Sequence, residues 1–195
     1  VGCFFDRNPD GSVHQKPFAG QSHDRTVHKG DLTGIEIINR LSEQVAALEP
    51  VILEETRGVE LILDESGGRV IGALLVDLRR GSFVVVRAGA TLLATGGGPT
   101  MFKITAASHD KSCDGVAMGF RVGAELMDME MVQFHPTGLL VGQNQISGTV
   151  LEEGLRGAGA LLLNAEGERY MERYDPRLER ATRDVVSRSS YMEIM

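Results

Sequence analysis

The chain has 195 residues, of which 42% are hydrophobic and 24% charged, the composition of a globular protein large enough to bury a core without disulfide staples. Its net charge of −7 excludes the basic footprint of a nucleic-acid binder, though not an anionic ligand, because a local group of arginines outweighs the global balance. Cys3 and Cys113 cannot build a disulfide framework, no C-x-x-C or H-x-x-x-H spacing offers a zinc site, and no apolar run reaches membrane-spanning length. A reducing compartment is therefore the default, and any membrane contact is expected to come through a partner.

The first thirty residues are polar and turn-rich, with Asn8-Pro9-Asp10-Gly11 and Ala19-Gly20, and read as an irregular loop or short hairpin. Asp31 or Thr33 then stands where a helix cap belongs, and Ile35, Ile38, Leu41, Val45 and Leu48 recur at helical spacing up to Pro50. After Pro50 the pattern shortens. Val51 to Leu53, Val59 to Leu63, Val70 to Val76 and Phe83 to Val86 are β-rich runs, punctuated by Gly67-Gly68 and by Arg79 to Gly81, which predicts an antiparallel meander. A further strand, Ala90 to Ala94, runs into Thr95-Gly96-Gly97-Gly98. Asp114-Gly115 opens a short helix through Phe120, closed by Gly123, with Ala124 to Met129 extended.

From about residue 130 the texture changes to glycine-rich loops with clustered arginine and glutamate, and a domain boundary is expected there. A last helix begins after Thr182, with Val185, Val186 and Ile194 as its apolar positions. The chain opens on Val1 rather than methionine and closes inside that helix, so it is expected to be an internal piece of a longer protein.

Four clusters carry chemistry. A strand ending in Ala94-Thr95-Gly96-Gly97 lets backbone approach a nucleotide closely; taken alone it is equally a strand ending in a glycine turn, since no G-x-G-x-x-G accompanies it. His135, held out of helix by Pro136, has an imidazole able to donate to a carboxylate; alone it is also an ordinary turn histidine. Glu152, Glu153 and Arg156 are interleaved with Gly154, Gly157 and Gly159, each glycine costing a helix about 1 kcal/mol, so a tight loop is expected rather than a solvated helix face. Arg183 to Arg188 forms the fourth.

Taken in order, these segments resemble the flavoprotein subunit of succinate dehydrogenase and fumarate reductase, with L-aspartate oxidase as a close relative. The series is ATGG, DG before a short helix, D-M-E-x-x-Q-F-H-P-T-G, E-G-x-R-G-x-G, L-N-x-x-G-E-R-x-M-E-R-Y and R-D-x-V-S-R, and it runs from about Phe5 to the last residue. The resemblance implies a mixed α/β and α+β chain. Residues 1–129 would belong to a partial, Rossmann-like FAD-binding domain with a β meander, and residues 130–195 to the first part of an α+β capping domain that closes over substrate. FAD is the implied cofactor, contacted by Ala94, Thr95, Gly96, Gly97 and Asp114. His135 would hold a substrate carboxylate, Arg183 would deliver the proton, and Glu153 and Arg156 would feed it.

The implied substrate is a dicarboxylate, succinate or fumarate. The implied electron partner is an iron–sulfur subunit on the cytoplasmic face of a membrane, with no nucleic acid and no direct insertion. Glu152 stands where the family usually has a substrate-binding threonine; Thr149 is the candidate to supply that hydroxyl, and Glu152 is expected to face away. The isolated chain is expected to be inactive. Two other readings stay open, an L-aspartate oxidase or another dicarboxylate flavoenzyme, and a structural module that self-associates through bare apolar faces.

Overall fold

A computed structural model describes residues 2–144 and 146–195. Contacts divide the chain into two compact units, one made of residues 51–132 and the other of residues 1–50 with 133–195.

In the unit of residues 51–132, three strands form an antiparallel sheet in the order β1-β2-β3: β1 (Thr56–Leu63), β2 (Val70–Asp77) and β3 (Ser82–Arg87). The turns fall where Gly67-Gly68 and Arg79 to Gly81 predict them. Leu61 pairs with Ala73 and Leu74 with Val85, and an irregularity between Gly58 and Glu60 shifts the β1 register. Helix α1 (Thr33–Ala47) belongs to the other unit. The helix packed on this sheet is α2 (Asp114–Arg121), whose Met118 is buried and whose Sδ and Cε sit against Gly58 of β1. Val51 to Leu53 and Ala90 to Ala94 are not strands: neither has a ladder partner among the described residues, and β-prone side chains without a neighbouring strand leave backbone groups unpaired.

The second unit contains α1 with α3 (Glu153–Gly157) and α4 (Arg183–Ile194). The first thirty residues form short hairpin-like turns through single bridges between Arg7 and Val13 and between Lys16 and Thr26. Neither Asp31 nor Thr33 caps α1. Leu32 occupies the cap position without a side-chain bond, and the Thr33 hydroxyl instead accepts from Lys29 N at 3.0 Å. The charged, glycine-rich segment expected as a loop is one helical turn, α3, because burial of Glu153 and Arg156 outweighs the low propensity of its glycines. The core of this unit is Tyr170, Met171, Ala181 and Val186, with Leu162 and Val185 against it, so α4 is anchored by the face that carries Val185 and Val186.

Candidate active site

One carboxylate organises the second unit. Glu153 opens α3 with only 5% of its side chain exposed. Three residues on, at the spacing that places two side chains on one helix face, Arg156 donates from Nη2 to Glu153 Oε1 at 2.9 Å. Arg183, the first residue of α4, grips the same carboxylate with both tines of its fork, Nε to Oε1 at 2.8 Å and Nη2 to Oε2 at 2.7 Å. Its remaining Nη1 donates to Gln133 Oε1 at 2.6 Å. Arg183 itself is partly exposed, whereas Arg156 is 2% exposed and spends Nη1 on the carbonyl of Glu179 at 2.9 Å. The Arg156 Nε is buried without a hydrogen-bond partner among the described residues.

The two guanidiniums are not equivalent. Burial pushes the Arg156 pKa down, with Arg183 adding repulsion, against the pull of Glu153. The hydrogen bonds from Arg183 to Glu153 push the Arg183 pKa up. Burial works to raise the Glu153 pKa, but its bonds to Arg183 and the charges of both arginines outweigh it, and the carboxyl ends below its usual value. A charge ladder results in which a half-satisfied, deeply buried arginine stands behind a carboxylate, and a well-satisfied, accessible one stands in front.

His135 belongs to the same electrostatic neighbourhood. Burial lowers its pKa, followed by repulsion from Arg183, with Glu153 opposing and Arg156 adding to the depression. Its tautomer is set by Thr137, whose backbone N–H donates to His135 Nδ1 at 3.3 Å. An amide N–H only donates, so Nδ1 is the acceptor and the proton of the neutral ring sits on Nε2, ready to donate to a ligand. Among the candidates from the sequence, the structure thus gathers Arg183, Glu153, Arg156 and His135. It does not gather the other two. Thr149 is exposed on a turn where its carbonyl accepts from Leu139 N at 2.9 Å, and Glu152 is exposed, its carboxylate folded over Gly154 and outside the Arg183–Glu153 pairing.

Sequence reasoning misses two groups. Gln133 lies two residues before His135, and its place inside the Q-F-H-P-T-G run is the available signal. Glu179 is buried, accepts from Arg169 Nε at 3.0 Å and Nη2 at 2.6 Å and from Leu162 N at 3.2 Å, and so fixes the carbonyl that holds Arg156. Nothing in its local sequence separates it from a solvated glutamate.

The unit of residues 51–132 holds a different kind of site. Leu93 to Gly96 lie along α2 and, with Gly115, Val116 and Gly119, wall a cleft of about 240 Å³. The approach depends on absent side chains: a Cβ on Gly115 would stand 1.9 Å from Thr95 Oγ1. Such a cradle of small residues fits the flat, elongated body of a dinucleotide such as FAD, and Ala94, Thr95 and Gly96 are all on its wall. Gly97 follows directly. Asp114 stands on the other side of α2, paired with Arg57 of β1 at 3.0 Å beside a second cleft of about 380 Å³.

Known proteins match this arrangement along its whole length. The sequence profile of the FAD binding domain family matches residues 1–195. A flavoprotein-type component of the CoM/CoB fumarate reductase of Methanothermobacter marburgensis is 43% identical over 194 residues, covering 100% of this chain and 35% of that protein. The mitochondrial succinate dehydrogenase flavoprotein subunit of Oryza sativa is 40% identical over 203 residues, covering 99% of this chain and 31% of that one. A solved structure of FrdA from E. coli quinol fumarate reductase superposes with a TM-score of 0.87 at 32% identity, covering 98% of this chain and 34% of that chain. The chain belongs to the FAD binding domain family, alongside relatives named as fumarate reductase and succinate dehydrogenase flavoproteins, and FAD is its cofactor. It spans about a third of the length of the curated relatives it matches. Among the described residues no helix is long and apolar enough to cross a membrane.

Proposed function

We propose that the chain is the part of an FAD-dependent oxidoreductase that protonates a C4 dicarboxylate, interconverting succinate and fumarate. The observation that carries this is the ladder Arg156–Glu153–Arg183, a guanidinium held by both carboxylate oxygens of a buried glutamate that is itself backed by a second guanidinium. The names of the relatives support the substrate class.

When bound, FAD supplies hydride transfer at one substrate carbon. The chain's residues supply the rest. His135 Nε2–H donates to a carboxylate of the dianion, which a neutral, partly buried imidazole does without adding a titratable charge at neutral pH. In the direction of fumarate reduction, a guanidinium N–H of Arg183 gives its proton to the neighbouring carbon. Glu153 then returns a proton to Arg183 and takes one from Arg156, whose burial makes its proton the easier to release. In succinate oxidation each proton retraces the path. Ala94, Thr95, Gly96, Gly97 and Asp114 are the residues we assign to holding FAD. In this reading residues 1–129 belong to the FAD-binding domain and 130–195 to the first part of a capping domain, an iron–sulfur subunit on the cytoplasmic face of a membrane exchanges electrons with the flavin, and the 195-residue chain alone does not turn over.

The test uses the full-length, FAD-loaded protein under anaerobic conditions. Fumarate is expected to reoxidise the photoreduced flavin, and Arg183→Gln to slow that step by about 10²–10⁴-fold while the flavin spectrum persists. Reduction of the oxidised flavin by L-aspartate but not succinate would move the protein to the aspartate-oxidising reading, and a flavin indifferent to all three compounds would overturn the dicarboxylate assignment.

A further inference from the structure

The rim of the FAD cleft carries an unneutralised cation. Gly96 has a φ of +76°, and on the side where a side chain would stand, the stem of Lys111 fills the space, with Cδ and Cε 3.7 Å from the position of a Cβ. The lysine is fixed there by its backbone. Its carbonyl accepts from Thr100 Oγ1 at 2.8 Å and from Thr100 N at 3.4 Å, tying the returning loop to the segment just past the glycines. Among the described residues its ammonium makes no ion pair and no hydrogen bond. Neighbouring carboxylates are engaged elsewhere, Asp110 with Ser108 Oγ at 3.0 Å and Asp114 with Arg57 at 3.0 Å. The walls of the cleft beside it are uncharged: Leu93, Ala94, Thr95, Gly115, Val116 and Gly119.

We propose that Lys111 is an FAD contact that places its ammonium against an anionic part of the cofactor at the Gly96 end of the cleft. The apolar stem packs on glycine backbone while the charged head stays at the rim, the usual division of labour in a lysine side chain. FAD offers anionic charge in two places, the diphosphate at all times and the N1–C2=O edge of the isoalloxazine once reduced. A compact ammonium serves either, by charge-assisted hydrogen bonding to phosphate oxygen or by stabilising the reduced flavin and raising its potential. This rests on the cleft being where FAD lies.

The test compares Lys111→Met, which keeps the stem and removes the charge, with Lys111→Arg, which keeps the charge. Both are made in the full-length protein and read by the affinity of the apoprotein for FAD and for ADP and by the flavin midpoint potential. If the contact is to the diphosphate, Lys111→Met weakens both FAD and ADP binding by about tenfold or more and Lys111→Arg restores them. If it is to the flavin edge, Lys111→Met leaves ADP binding alone and lowers the potential, and Lys111→Arg restores it. Lys111→Met matching the parent in all three readouts, or Lys111→Arg failing together with it, overturns the proposal. Ala94→Leu, which fills the cleft, tests the underlying reading separately: FAD bound at full affinity by that variant removes the cleft itself, whatever Lys111 does.

Discussion

At Glu153 two positive groups converge on one negative one, and each partner leans on that arrangement differently. Arg156 is 2% exposed, so losing Glu153 strands a buried guanidinium, whereas Arg183 still reaches solvent. Glu153→Gln keeps the shape and removes the proton carrier. It is expected to cut fumarate reduction by about a hundredfold or more with the fold retained. Glu153→Ala removes the carboxylate outright and is expected to cost in addition about 3–5 kcal/mol of stability in urea titrations. Equal stability of these two variants would show that Arg156 does not depend on the carboxylate.

His135 links the same cluster to pH. Its folded pKa lies below the ordinary 6.5, because of burial first and Arg183 second, so the unfolded chain takes up a proton there before the folded chain does. Stability is therefore fully present above pH 6.5 and declines as the pH falls through the window beneath it. Glu153 pulls the same way lower down, since its depressed carboxyl favours the folded state above its ordinary 4.5 and that contribution is lost as acid titrates it. The urea midpoint of His135→Gln should thus fall less steeply than the parent's as pH is lowered from 6.5. Parallel profiles would remove His135 from the charge cluster.

Among the elements, α3 is the one whose existence depends on its surroundings. Its glycines argue against a helix, and the pattern E-G-x-R-G-x-G predicts a loop; the single turn forms because it aligns Glu153 with Arg156 and because Gly157 lets the chain pass close by. A Cβ on Gly157 would sit 3.0 Å from the Pro17 carbonyl and 3.4 Å from Phe18 Cα, both backbone atoms that cannot swing aside. Gly157→Ala is expected to destabilise the protein by about 1–3 kcal/mol despite the better helix propensity of alanine, read as a lowered thermal midpoint. An unchanged or raised midpoint would show that the Pro17 loop yields.

The same contrast explains what is legible in the sequence. The meander is readable because alternation and turn glycines are local signals, and α4 because Thr182 and the Val185-Val186 face mark its start and its buried side. Ala90 to Ala94 reads as a strand by composition, yet strand formation is a property of pairs, and no pairing segment is present among the described residues. In the site, Arg183, Glu153, Arg156 and His135 are accessible through spaced motifs. Gln133 and Glu179 are not, since a hydrogen bond spanning 50 residues from Gln133 to Arg183 leaves no trace in local pattern.

For the molecule as a whole, the notable quantity is uncovered apolar surface. Helix α1 has no buried residue, and Ile35, Ile38, Leu41 and Val45, its apolar stripe, are 58%, 62%, 41% and 45% exposed. An amphipathic helix draws most of its stability from a covered stripe, so this face calls for more chain or a second copy. The 195-residue chain expressed alone is accordingly expected to bind a hydrophobic dye and to elute as concentration-dependent oligomers, while the full-length protein does neither through this face. A dye-silent monomer at all concentrations would show that these faces close on themselves.

Two hydrogen bonds along α4 have a consequence for selectivity. Arg183 donates to Gln133 Oε1, and one turn later Ser187 Oγ donates to the Phe134 carbonyl at 2.6 Å, so consecutive residues just ahead of His135 are stitched to the helix at two points. Two stitches remove the freedom to slide or pivot that one would leave. The helix and the histidine segment then act as the fixed jaws of a caliper, whose gape is set by the chain and not by the guest, and a diacid one methylene longer than succinate meets an instrument that does not open to fit it.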